Sequence, residues 1–346
     1  MHVRLSRREL FLGAATGLAG ITLLPAIAQR RAPARNLGLP RRPAFAVPVP
    51  TPLTASLGLD LQRHRELLRF YRQAGADAVL AVSSTGEMLS LSWAEALQLT
   101  RSASATFGAS RTWASISCGR TVAACMEGAA ELRMAGAGLP VVILGLLAGA
   151  EVSEPEALRR LLDVGRRAGG PLGLYEALTP FHRTLPPGDL GALARQGTYQ
   201  LLKTTQGSPA EITALVASTP TDFLILEANT SDLAAGLQAG ASGVVDFCAA
   251  CFPELLNHLC RHWGDPSQRE PLQRICRWIG DTDALLLGSL PFPLGVKAVL
   301  GARGLAILPL SRQAVTELTS DQKGLVNDRV RQFRLLSSEL GIAPVI

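Results

Sequence analysis

The chain carries thirty-one arginines but only three lysines, and one of these, Lys203, closes the apolar run in "YQLLKTTQGS". An ammonium beside Leu201 and Leu202 is costly to remove from water, so burial there pushes the group toward its neutral amine. A neutral lysine amine can attack a carbonyl carbon to form an imine, an electron sink that needs neither a metal nor a bound cofactor. The alternative is a solvated lysine just past a strand end. Three other groups could serve the same chemistry. Ser84 and Thr85 in "SSTGE" set adjacent hydroxyls before Gly86, a tight turn whose hydroxyl and backbone donors suit a small carboxylate. Tyr175, one of three tyrosines, ends the run in "GLYEALTPFHR" and could shuttle a proton beside an amine. Arg183, eight residues on, could pair with a substrate carboxylate or simply be solvated, and His182 beside it reads as a surface residue. Lys297 and Lys323 read as helix-surface or loop residues. No histidine falls at a predicted strand end, which argues against a serine or cysteine hydrolase.

Short apolar runs alternate with longer amphipathic segments from residue 44 onward. The runs predict strands over Ala46–Val49, Ala78–Val82, Thr112–Ser117, Val141–Leu144, Leu172–Tyr175, Gln200–Lys203, Phe223–Leu226 and Gly243–Phe247. Helical patterns lie between them, such as Leu61–Gln73, Trp93–Thr106, Glu154–Arg167 and Pro253–Trp263. Eight near-continuous apolar strands, each followed by a helix, predict an α/β fold of the (β/α)8 TIM-barrel type with a C-terminal helical extension. An open dinucleotide-binding sheet would carry a glycine-rich loop after its first strand, where "PVPTPLTASLG" stands instead. In such a barrel the reactive groups sit at the C-terminal strand ends, and Ser84, Thr85, Tyr175 and Lys203 all fall there. The expected divisions are 44–264 for the barrel and 265–346 for the C-terminal helices.

The net charge of +6 belongs to the leader, because residues 1–42 hold eight arginines and one acid. The remainder has 26 basic and 27 acidic side chains, a balance that speaks against nucleic-acid binding. Arg7-Arg8, Phe11-Leu12, a Gly/Ala/Leu-rich stretch and Ala26-Ile27-Ala28 resemble a twin-arginine export signal over 1–28, followed by a flexible lead-in over 29–43. The expectation is a periplasmic or otherwise extracytoplasmic protein with no stable membrane insertion after cleavage. Cys248-x-x-Cys251 is a weak metal or redox signal with no second pair and no spaced histidines, so no metal is expected.

The body resembles the dihydrodipicolinate synthase / N-acetylneuraminate lyase family of class I pyruvate aldolases, over about Ala46 to Leu340. The resemblance rests on "TPLT", on "SSTGEMLSLS" for the family's G-T-T-G-E turn, and on "LYEALTPFHR", "LLKTTQGS", "GASGVVDFCAACFPE" and "GVKAVLGARG". It implies a Schiff base between Lys203 and a 2-keto acid, with Ser84 and Thr85 holding the carboxylate and Tyr175 moving protons. It further implies a backbone contact from Val245, Arg183 near the second substrate, no cofactor, and a homo-oligomer, tetramer or dimer. The activity implied is a lyase, aldolase or dehydratase acting on pyruvate or a sugar-derived keto acid. At the fourth strand the family's Pro-Tyr-Tyr-like segment is replaced by "ILGLLAGAE", so no phenol stands there. That departure supports the alternative of an exported keto-acid or sugar-acid binding protein that has lost turnover.

Overall fold

The computed structural model describes residues 37–229, 233–313 and 317–346. Eight parallel strands close into a barrel in chain order, with β8 paired back onto β1 through Ala44 with Gly243 and Phe45 with Val244. The strands are β1 (Ala44–Pro48), β2 (Ala78–Leu80), β3 (Thr112–Ile116), β4 (Leu139–Ile143), β5 (Leu172–Tyr175), β6 (Tyr199–Thr204), β7 (Leu224–Glu227) and β8 (Gly243–Val244). Every strand residue except Gln200 is buried, because one face fills the barrel and the other lies under helices. That two-sided burial is why the strands read as unbroken apolar runs.

The barrel helices are α1 (Leu61–Gln73), α2 (Trp93–Phe107), α3 (Val122–Met134), α4 (Glu154–Arg167), α5 (Pro187–Arg195), α6 (Pro209–Ser218) and α7 (Leu233–Gln238). Their starts follow from local chemistry. Asp60 and Thr121 accept the first free amides of α1 and α3, while Ser92 with Glu95 and Ser208 with Glu211 form capping boxes for α2 and α6. After β8 come α8 (Phe247–Cys251), α9 (Pro253–His262), α10 (Arg269–Ser289), α11 (Leu294–Arg303) and α12 (Ser320–Glu339). Among the described residues no helix is long and apolar enough to cross a membrane.

Two expectations need correction here. Gly243–Phe247 is not one strand: β8 stops at Val244, and the Asp246 carboxylate accepts the Cys248 amide and starts α8. The last residues of the expected lead-in are packed, with Leu37 and Leu39 in the core and Arg42 forking onto Asp77 at 3.0 and 2.8 Å. Residues 1–28 and the start of the lead-in lie outside the described residues.

The C-terminal helices dock through Arg303, which is fully sequestered at the end of α11. Its guanidinium donates to the Cys251 carbonyl at 2.6 Å, pairs with Glu254 at 2.5 Å and lies 4.5 Å from the Phe333 ring centre. Glu254 also accepts the Val345 amide, so one carboxylate gathers α9, α11 and the chain end. Removing one partner leaves the other charge buried alone. Arg303→Ala is therefore expected to lower unfolding free energy by about 3–5 kcal/mol in urea denaturation. A loss below about 1 kcal/mol would contradict this docking.

Candidate active site

Lys203 lies one residue before the end of β6, in register with Tyr175 on β5 and Leu226 on β7. Side chains in register on parallel strands share a face, so the amine and the phenol point together into the barrel. The Lys203 Nζ donates to the Val245 carbonyl at 2.5 Å and sits 4.9 Å from the centre of the Tyr175 ring. The Tyr175 hydroxyl is 3.0 Å from Ser84 Oγ, with either oxygen able to donate. Amine, phenol, hydroxyl and carbonyl thus converge from β6, β5, the turn after β2 and the end of β8. Lys203 is 6% exposed and Tyr175 5%, so the group is screened from bulk water while Ser84 stays half-buried at the rim.

The turn carrying Ser84 is tightly built. The amides of Gly86 and Met88 both donate to the Ser83 carbonyl at 3.0 Å, and Thr51 Oγ1 donates to the Gly86 carbonyl at 2.7 Å. Gly86 is required by close approach, since a Cβ there would stand 2.7 Å from the Val49 carbonyl oxygen. Thr85 is buried in the same turn.

Electrostatics act on the amine in two directions. Burial pulls the Lys203 pKa down from 10.5 to about 8, and the Asp246 and Glu227 carboxylates draw it back up. At pH 7 roughly a tenth of such amines are neutral, against about one in three thousand for an ordinary lysine. Glu227 is itself pushed up to about 8, first by its own burial. Sequence reasoning passed over both acids: Glu227 adds one residue to an apolar run ending at Leu226, and Asp246 interrupts "VVDF" where a strand was expected to continue.

The structure brings Lys203, Tyr175, Ser84 and Val245 together, and it places three other residues differently from expectation. Arg183 is not available for a substrate. It is 3% exposed, donates to the carbonyls of Ala148, Gly149 and Val152 at 2.6–2.9 Å, and pairs with Glu154 at 2.6 Å. His182 is half-buried and 2.8 Å from Thr205 Oγ1. Lys297, expected at a surface, is wholly buried with its Nζ 2.5 Å from Glu87 Oε1. Lys323 is exposed on α12 as expected. Cys248 and Cys251 are buried on α8, and Cys248 lies with Asp246 and Asp283, one oxygen or sulfur of each within 4.8 Å of the others. After β4 a single helical turn, Leu144–Leu147, is entirely buried and apolar.

The amine's reactivity tests this electrostatic reading directly. Labelling of Lys203 by a small acylating reagent, followed by peptide mass mapping, is expected to rise with pH through a midpoint near 8. Asp246→Asn removes an anion that stabilises the ammonium, so its midpoint moves to lower pH. A midpoint in the ordinary lysine range would overturn the reading.

Comparison with known proteins identifies the family and the barrel. The family model described as "Dihydrodipicolinate synthetase family" matches residues 44–125 and 169–333. Its unmatched interval, 126–168, contains β4 and the apolar turn that follows it. A 4-hydroxy-tetrahydrodipicolinate synthase from Xanthomonas campestris pv. campestris is 26% identical over 211 residues, 61% of this chain and 69% of that protein. Similar solved structures include YagE, a dihydrodipicolinic acid synthase family protein from E. coli K12 crystallised with pyruvate. Its TM-score is 0.75 at 20% identity, covering 84% of this chain and 98% of that one. A putative dihydrodipicolinate synthetase from Pseudomonas aeruginosa has a TM-score of 0.76 at 20% identity, covering 84% and 99%. At these identities the structural likeness speaks to the barrel.

Proposed function

This chain belongs to the dihydrodipicolinate synthetase family, and we propose that it is a lyase or aldolase that forms a Schiff base between Lys203 and a 2-keto acid. The observation that carries the reading is the buried amine facing the Tyr175 ring at 4.9 Å, inside the barrel mouth. The neutral nitrogen attacks the keto carbon and a carbon–nitrogen bond forms. The carbonyl oxygen leaves as water, taking one proton from the amine and one delivered through the Tyr175 hydroxyl, which leaves a protonated imine. A solvent proton returns to Tyr175 through Ser84 Oγ, its half-buried neighbour at 3.0 Å, which takes up one proton as it passes one on. The Ser84–Gly86 turn holds the keto acid's carboxylate, with Thr85 in the same turn. The imine nitrogen then draws electrons as a carbon–carbon or carbon–oxygen bond is made or broken.

The pyruvate complex of the E. coli relative supports a keto acid of that size as the first probe. The second reading is a binding protein of the same fold, favoured by the buried apolar turn Leu144–Leu147 in the interval the family model leaves unmatched. Export through the Arg7-Arg8 leader and assembly into a homo-oligomer belong to the same proposal, the first resting on the leader sequence and the second on the family.

Borohydride reduction in the presence of pyruvate is expected to add the mass of a reduced keto-acid adduct at Lys203, and Lys203→Ala should abolish it. Tyr175→Phe should slow adduct formation by about 10²–10⁴-fold while leaving the fold intact. Absence of an adduct with any keto acid sinks the enzymatic reading, whereas thermal stabilisation by a keto acid without turnover would select the binding protein.

A further inference from the structure

The turn that carries Ser84 ends in Glu87, whose backbone adopts φ +61°, a left-handed conformation that glycine accepts far more readily than a side-chain-bearing residue. A glutamate is explained there only by what its carboxylate does. Glu87 is 2% exposed. Its Oε1 accepts from Lys297 Nζ at 2.5 Å, and its Oε2 accepts from Ser311 Oγ at 2.8 Å and the amides of Arg312 and Gln313 at 2.7 and 3.3 Å. Lys297, 210 residues away on α11, completes the circuit by donating to the Leu310 carbonyl at 2.5 Å. Burial lowers its pKa and the Glu87 carboxylate opposes that fall, so the ammonium depends on this one partner for its charge.

Arg312 extends the same contact to the neighbouring loops. Its side chain donates to the Leu57 and Ser90 carbonyls and forks onto Glu95, which caps α2. The segment Leu310–Gln313 therefore grips three pieces of the barrel rim, with Glu87 at the centre. Glu87 in turn reaches the site through backbone: its amide donates to the Ser84 carbonyl at 3.1 Å.

We infer that the Lys297–Glu87 pair, closed by residues 310–313, is the positioning device that holds the Ser84–Gly86 turn in its anion-binding shape. The C-terminal region is then part of the keto-acid site, because it fixes the donors without touching substrate. The inference rests on the keto-acid reading of that turn. Without Lys297, Glu87 loses the charged partner that opposes its strained left-handed backbone, and the turn's donors are held less firmly in place for the carboxylate.

The test is pyruvate-dependent borohydride trapping on the full chain, read as half-saturating pyruvate and as the rate at saturation. In Lys297→Met, half-saturating pyruvate is expected to rise about tenfold or more, while the saturated rate stays within about threefold of wild type. A purely structural role would reduce the yield of folded protein and leave half-saturation unchanged in what folds. Ser311→Ala removes a donor without orphaning a charge, so it serves if Lys297→Met does not fold; about a two- to fivefold rise is expected. Wild-type trapping with unchanged half-saturation in the folded variants overturns the clamp and leaves the proposed function standing. No trapping in wild type removes both.

Discussion

An amine taken out of water inside an apolar cylinder sets the terms for the rest of this molecule. Full burial with no compensation would make Lys203 permanently neutral and leave its nitrogen without a hydrogen-bond partner. The barrel avoids that outcome with one backbone carbonyl, Val245, and two carboxylates, Glu227 at the end of β7 and Asp246 just past β8. A pKa near 8 rather than 10.5 corresponds to about 3 kcal/mol of disfavour for the charged form. Desolvation wins, but by little enough that either protonation state is accessible near neutrality. A nitrogen that must be neutral to attack and charged once it has become an imine needs that balance.

The partners of that amine come from four separated parts of the chain, and only the closed sheet makes them neighbours. Register does most of this: Tyr175 faces Lys203 because β5 and β6 pair residue for residue at that level. The turn after β2 cannot rely on register, since it has left the sheet. It is fixed instead by Thr51 from β1's side and by the buried Glu87–Lys297 pair from the C-terminal side. A strand end is rigid by virtue of its ladder, whereas a turn that must present donors needs side chains to hold it.

Legibility in the sequence followed the range of each interaction. Leu61–Gln73 and Glu154–Arg167 were readable to the residue because helical periodicity and a basic last turn are both local. The strands were readable because two-sided burial leaves apolar runs, and the site lysine, phenol and serine were readable because each closes such a run or follows it. Asp246 misled because a carboxylate after an apolar run reads equally well as part of the strand or as the cap of a helix starting at the next residue. Lys297 was opaque for a different reason: its partner lies 210 residues away, and helical periodicity reports whether a face is buried, not what it meets. Arg183 looked free because its acceptors are backbone carbonyls, which no side-chain pattern reveals.

Two features of the barrel mouth, the apolar end of β4 and the occupied Arg183, meet at one contact. Gly145 has no Cβ, and a Cβ there would collide with the Phe181 carbonyl, so the loop after β5 lies directly against the end of β4. That contact brings Arg183 to the carbonyls of Ala148, Gly149 and Val152, where it spends its donors and stacks 5.4 Å from the Phe181 ring. A larger residue at position 145 would have to displace the Phe181 backbone. The apolar end of β4 and the loop that carries Arg183 therefore meet at one glycine, beside the strand that carries Tyr175. Lys203, Tyr175 and Ser84 keep their groups in contact, while the adjoining end of β4 presents a buried apolar turn.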